Sequence, residues 1–186
     1  MMSVFCCDFR CRKERGATAV EFAIVAILFF TIVLGIMEFG RVLYIWNTVQ
    51  EVTRRAAREA VVRNFNSDVG AIQREAVFRK GSAGTVYLPA GLEISNANIK
   101  INYLNADLAV ASPMPADPAD NISACNDTTR VASCIRYVEA CVAISGNCSE
   151  SVTYVPMVGL FYFLEIDIPV SSVIMPAESL GFSVSP

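Results

Sequence analysis

Histidine is absent from the 186 residues, which removes every Ser-His-Asp and Cys-His arrangement and most catalytic zinc sites. Little else in the chain could do chemistry. Glu165 and Asp167 lie two residues apart and would share a strand face, but a solvated pair is far commoner than an acid/base couple. Gly81-Ser82-Ala83-Gly84 lacks the lysine of a phosphate loop, and the sequons at Asn121, Asn126 and Asn147 carry little information by themselves. The expectation is a protein that is not an enzyme, with no catalytic residue, metal, cofactor or nucleic-acid partner.

Seven cysteines fall into two groups, Cys6, Cys7 and Cys11 near the start and Cys125, Cys134, Cys141 and Cys148 in the large C-terminal part. The even set points to an oxidising compartment around that part, while the first three are harmless if they stay in a reducing cytosol. Four cysteines allow three connectivities. With 134–141 taken as one strand, Cys134 and Cys141 stand about 23 Å apart, far beyond the separation of about 4.4–6.8 Å between bridged Cα atoms. The expected disulfides are Cys125–Cys134 and Cys141–Cys148, the second closing a turn at Ser145-Gly146-Asn147. No C-x-x-C spacing supports zinc.

The remaining candidate is Glu21, the one charge in the apolar run from Ala17 to Met37. A run of about 21 residues spans roughly 30 Å as a helix, the thickness of bilayer hydrocarbon. An acidic side chain there costs on the order of 3 kcal/mol and is usually functional, the alternative being that it reaches the cytosolic interface. A cleaved secretory signal is shorter and ends in a small-residue site, whereas this run continues into Glu38-Phe39-Gly40-Arg41. Composition agrees with a membrane segment: 54% hydrophobic, 18% charged, mean hydropathy +0.45 and net charge −3 are too apolar for a soluble domain of this length.

Arg10, Arg12, Lys13 and Arg15 before the span are matched by Arg41, Arg54, Arg55 and Arg58 after it, so charge counting gives a tie in orientation. Cysteine placement breaks it, with the N-terminus in the cytoplasm and the C-terminal domain outside. Beyond Gly40, Val42, Ile45, Val49, Val52, Ala56 and Ala60 recur at three- and four-residue spacing, which predicts an amphipathic continuation of the helix to about Asn64. Gly35 and Gly40 lower helix propensity near the exit, and the alternative is an anchor followed by a separate surface helix.

Arg15-Gly16-Ala17-Thr18-Ala19-Val20-Glu21-Phe22 resembles the type IV prepilin processing site: basic leader, glycine, four residues, glutamate, then an apolar helix. The glutamate-aromatic pair at the fifth and sixth positions after the glycine is similar to that of Tad (tight adherence) prepilins and pseudopilins, and the chain resembles a TadE-like minor pseudopilin. Tyr154-Val155-Pro156 and Ser172-Val173-Ile174-Met175-Pro176-Ala177-Glu178 are similar to the closing segments of such proteins. The resemblance implies cleavage after Gly16 by a membrane aspartyl prepilin peptidase, with Ala17 as the new N-terminus. Glycine leaves the scissile backbone open and weakens the helix there. The new amine at Ala17 needs a partner in lipid, and Glu21 of a neighbouring subunit supplies one. Alanine rather than phenylalanine follows the glycine, a departure that bears on N-methylation. Cleavage also removes three cysteines and leaves an even number. The implied partners are other pilins or pseudopilins, the inner-membrane assembly platform with its cytoplasmic ATPase, and membrane lipid.

Downstream, Thr85-Val86-Tyr87-Leu88, Ile99-Lys100-Ile101-Asn102-Tyr103-Leu104 and Ile135-to-Ile144 read as short strands, with a helical turn or two in 66–80 and a loop at Ser112 to Asp120. Val158-to-Leu164 is too short to cross a bilayer and reads as a buried strand or helix turn, or else as a loop touching membrane or a partner pilin. The expected fold class is α+β, a long transmembrane-plus-amphipathic helix followed by a small disulfide-containing, β-rich extracytoplasmic domain. Its parts are a leader at 1–16, a span at 17–40, an amphipathic continuation at 41–65 and the domain at 66–186. The expected function is a structural one in Tad pilus biogenesis and secretion, at the bacterial inner membrane. The alternative is an uncleaved single-pass protein whose outer domain binds a ligand.

Overall fold

The computed structural model describes residues 11–81 and 83–182. Expectations placed on 1–10, including Cys6 and Cys7, and on Ser82 lie outside the described residues. The chain divides into two compact units, Met1–Gly40 and Arg41–Pro186. The long helix α1, Cys11–Val62, belongs to both. It starts ahead of Ala17 and runs through Gly16, Gly35 and Gly40, so one glycine's loss of about 1 kcal/mol against alanine is outweighed by the good helix formers around each.

Within the first unit α1 is apolar on all sides. Val20, Phe22, Ile27, Phe30 and Ile36 are each more than half exposed, and none of the most apolar eighteen-residue window is buried. Thr31 donates its hydroxyl to the Ile27 carbonyl at 2.8 Å, so this polar group is satisfied by the helix itself. A helix apolar all round requires lipid or other helices to cover it.

In the second unit the same helix becomes one-sided. Val42, Ile45, Val49, Val52, Ala56 and Ala60 are buried, one or two per turn on one face. Each fully buried valine or isoleucine contributes about 1.5–3 kcal/mol. The remaining elements are a short helix α2 (Val69–Ala76), strands β1 (Tyr87–Leu88), β2 (Gly91–Ser95) and β3 (Ile99–Leu104), helix α3 (Pro118–Asn126), and strands β4 (Tyr137–Val142), β5 (Val152–Thr153), β6 (Asp167–Ile168) and β7 (Ser172–Pro176). Strands β3, β4 and β7 form an antiparallel sheet in that order, and β1–β2 and β5–β6 form two antiparallel ribbons.

Register explains which face of the sheet meets α1. Ile99 pairs with Val142, Ile101 with Ala140, and Tyr103 with Val138, while Ala140 and Val138 pair in turn with Val173 and Met175. These apolar positions alternate with Lys100, Asn102 and Glu139 on the other face. The inner set joins the helix stripe in two hydrophobic clusters, one built around Val42 to Ala57 and the other around Ala60, Val61, Phe65 and Ile72. The C-terminal segment caps α1: Leu180 donates its N–H to the Val61 carbonyl at 3.1 Å and Ser179 its hydroxyl to the Val62 carbonyl at 3.3 Å. Gly181 follows at φ +80, where a Cβ would lie 2.5 Å from the Asn64 nitrogen, so this close approach requires glycine.

The expected loop is corrected in part, and the expected helix turn at 158–164 is found. Residues 118–120 are not loop but the first turn of α3, because Pro118 sits at the helix start and the Asp117 side chain accepts from the Asp120 N–H at 2.8 Å. Residues 159–164 are a 3-10 turn in which Phe161 is buried while Leu160, Tyr162 and Phe163 are exposed. The extended run also begins later than expected, since β4 starts at Tyr137, and Cys134 lies outside it.

Tyr103 is buried edge-to-face against Phe65 at 5.8 Å, and its hydroxyl has no hydrogen-bond partner among the described residues. Burial pushes its pKa from 10.0 up to about 12. The fold therefore holds the phenol neutral: this contribution is complete below pH 10 and is lost as pH rises towards 12. Tyr103→Phe is expected to leave stability unchanged or raise it by up to about 1 kcal/mol, and to flatten the fall in stability above pH 10, as measured by urea unfolding of the detergent-solubilised chain.

Candidate functional site

The predicted processing segment lies wholly on α1 in the first unit. Gly16, Ala17, Glu21 and Phe22 are all exposed, and a Cβ added at Gly16 would meet nothing within 4 Å. Ala17 and Glu21 are four apart on a helix and so share a face one turn apart. Among the described residues no ion pair is made by Glu21. Glu21 thus places a carboxylate on an otherwise apolar stretch of the helix.

The four cysteines expected to pair, Cys125, Cys134, Cys141 and Cys148, lie in the second unit. Cys125, on α3, is bonded to Cys134 with Cα atoms 4.7 Å apart, and Cys141, on β4, to Cys148 at 5.9 Å. The first pair is reinforced by Asn121, whose buried side chain accepts from the Ile135 N–H at 2.8 Å and donates to its carbonyl at 3.3 Å. This sequon asparagine therefore serves as a structural clamp. The second pair holds the 145–148 turn over the outer face of the sheet, where Asn102 donates to Glu139 and to the Gly146 carbonyl, both at 3.0 Å.

A cluster that the sequence reading did not anticipate centres on Arg41, the first residue of the second unit. Its guanidinium pairs with Glu93 at 2.5 Å, donates to the Ala90 and Val155 carbonyls at 3.2 and 3.0 Å and to the Tyr154 hydroxyl at 3.1 Å, and lies 4.9 Å from the centre of the Tyr154 ring. Desolvation works against the charge on Arg41, but the Glu93 carboxylate and Tyr154 together outweigh it and raise the pKa. One side chain thereby fixes the β1–β2 ribbon, the segment after β5 and the start of the head's own helix. Tyr44, one turn on, adds a hydrogen bond to the Pro89 carbonyl at 3.1 Å. Charge counting treated Arg41 as one more basic residue after the span. A solitary acid in the apolar strand Gly91-Leu92-Glu93-Ile94 was the signal that a distant cation must reach it.

One apolar helix long enough to cross a membrane, leading into a disulfide-bonded α+β head, suggests a protein with a single-pass membrane anchor. A sequence model of the family described as TadE-like protein matches residues 16–58, the family that the Gly16–Phe22 motif resembles, and this likeness points to Tad pilus assembly. The match begins at Gly16 and ends within the buried stripe of α1, so the closing segments at 154–156 and 172–178 fall outside it. No curated protein and no solved structure matches the chain.

Removing Arg41 leaves the Glu93 side chain, 7% exposed, without its counter-charge. Arg41→Met is expected to destabilise the head by about 3–5 kcal/mol, and the double variant Arg41→Met/Glu93→Leu to recover most of that loss. Urea unfolding with limited proteolysis of the full chain in detergent reads both.

Proposed function

We propose that this chain is a minor pseudopilin, a structural component of Tad pilus biogenesis and not an enzyme. The single observation that carries the reading is the coincidence of Gly16 at the start of the family match with a lone, exposed Glu21 five residues on. In this reading a prepilin peptidase removes residues 1–16, taking Cys6, Cys7 and Cys11 with the leader and leaving the four paired cysteines. The N-terminus lies in the cytoplasm, the helix spans the bacterial inner membrane and the head folds outside, where disulfides persist.

The mechanism follows from electrostatics in a low dielectric. Cleavage creates an ammonium at Ala17 and leaves Glu21 as an acid in lipid, and each charge alone is costly there. Within one helix the two are a turn apart. Between subunits, the amine of one chain and the carboxylate of its neighbour neutralise each other only at one vertical offset, so the pair sets the stagger of packed helices. The apolar surface of residues 17–40 supplies the contact area with other pilins and the platform, and the head gives the subunit its identity. The uncleaved anchor with a ligand-binding head differs at one point, since it keeps its leader.

Intact mass and N-terminal analysis of membrane-purified protein, from cells with and without prepilin peptidase, tests this directly. A chain starting at Ala17 only in the presence of the peptidase is the expected result, and one still starting at Met1 or Met2 sinks the proposal. Glu21→Gln is expected to leave the folded head intact while crosslinks to neighbouring pilins fall severalfold.

A further inference from the structure

The turn after β5 carries the most conspicuous apolar surface of the second unit. Met157, Leu160, Tyr162 and Phe163 are 77%, 57%, 76% and 66% exposed, and no charged residue occurs from Val155 to Leu164. The turn is nevertheless built. Phe161 is buried beneath it, and the rings of Phe161 and Tyr162 stand edge-on to Phe163 at 6.1 and 6.4 Å. A firmly held turn that presents its large side chains outward is shaped for an apolar surface outside the chain.

Its tether says which surface. The base of the turn is fixed by Arg41, through the Val155 carbonyl and the Tyr154 hydroxyl. Arg41 directly follows Gly40, the last residue of the apolar span, and Tyr44 and the lone tryptophan, Trp46, come within the next two turns. Arginine, tyrosine and tryptophan just beyond a span are the residues of a membrane–water interface. The ribbon that Arg41 also holds, at Ala90, presents Leu92, 74% exposed. At the far end of the turn Glu165 and Asp167 are exposed, which stops deeper entry and disfavours an anionic lipid surface.

We propose that residues 155–164 form an interfacial wedge that inserts Met157, Leu160, Tyr162 and Phe163 about 5–10 Å into the bilayer that holds the span. The occupant of this surface is lipid of zwitterionic composition, entered by apolar burial rather than by charge attraction. The wedge gives the head a membrane contact of its own. This inference rests on the reading of residues 17–40 as a membrane span, and the test separates the two.

The experiment uses the full chain in phosphatidylcholine nanodiscs with Trp46→Phe as background and single tryptophans introduced by Tyr162→Trp, Phe29→Trp or Tyr137→Trp. Fluorescence is compared in lipid with and without brominated acyl chains. Phe29→Trp reports the span, and Tyr137→Trp reports the sheet. The wedge predicts a blue-shifted Tyr162→Trp emission that is quenched about twofold, unchanged by added salt, with Tyr137→Trp unquenched. Quenching of Phe29→Trp with a water-like, unquenched Tyr162→Trp overturns the wedge and keeps the span, including the case in which Tyr162→Trp becomes protected only when another pilin subunit is added. An unquenched Phe29→Trp overturns the span reading itself. Tyr162→Trp exchanges one exposed aromatic for another, and near-ultraviolet circular dichroism matching that of the background chain shows the fold retained.

Discussion

The apolar side of α1 from Val42 to Val61 has to be covered, and the second unit is arranged to cover it. The sheet β3-β4-β7 is too small to form a core alone, and its inner face of Ile99, Tyr103, Val138 and Ala140 clusters with the helix stripe and with Leu88, Ile94, Val152 and Ile168 of the two ribbons. The helix supplies the missing layer. Alanines at 56, 57 and 60 give that layer little thickness where the sheet approaches, and valines and isoleucine at 42, 45, 49 and 52 fill the wider part. Two contacts close the ends of this arrangement: Arg41 binds the β1–β2 ribbon and the segment after β5 at the first turn of the helix stripe, and the 179–181 segment satisfies carbonyls at the last.

What the sequence revealed followed from how local each signal is. The helix stripe is a matter of three- and four-residue spacing, visible without any partner, and the alternation in Ile99-Lys100-Ile101-Asn102-Tyr103 is equally local. Proline was ambiguous at 118, because it both breaks chains and starts helices, and only the Asp117 cap decides between them. The Arg41–Glu93 pair joins residues 52 apart and leaves no periodic trace. Hydrophobicity at 158–164 shows that water is unfavourable to those side chains but not what replaces it. Cysteine spacing implied a strand through Cys134, whereas Cys134 lies ahead of β4, so one bonded pair joins α3 to the segment before β4 and the other joins β4 to the 145–148 turn.

In the proposed function one helix carries two tasks with opposite demands. Over its apolar run from Ala17 to Met37 it must stay uncovered by its own chain, so that lipid and neighbouring helices can reach it, and Glu21 must stay unpaired until another subunit brings a cation. From Arg41 onward the same helix is committed to its own head. The division falls at a glycine followed by an arginine whose guanidinium makes four hydrogen bonds within the head.

Native-state hydrogen exchange on the full-length chain in nanodiscs tests this sharing of the core most directly. The amides of Ile45 to Ala60 are predicted to open with the same free energy as those of β3 and β4, as one cooperative unit. Helix amides that exchange while the sheet stays protected would contradict the account and make the head an independent domain attached to an anchor.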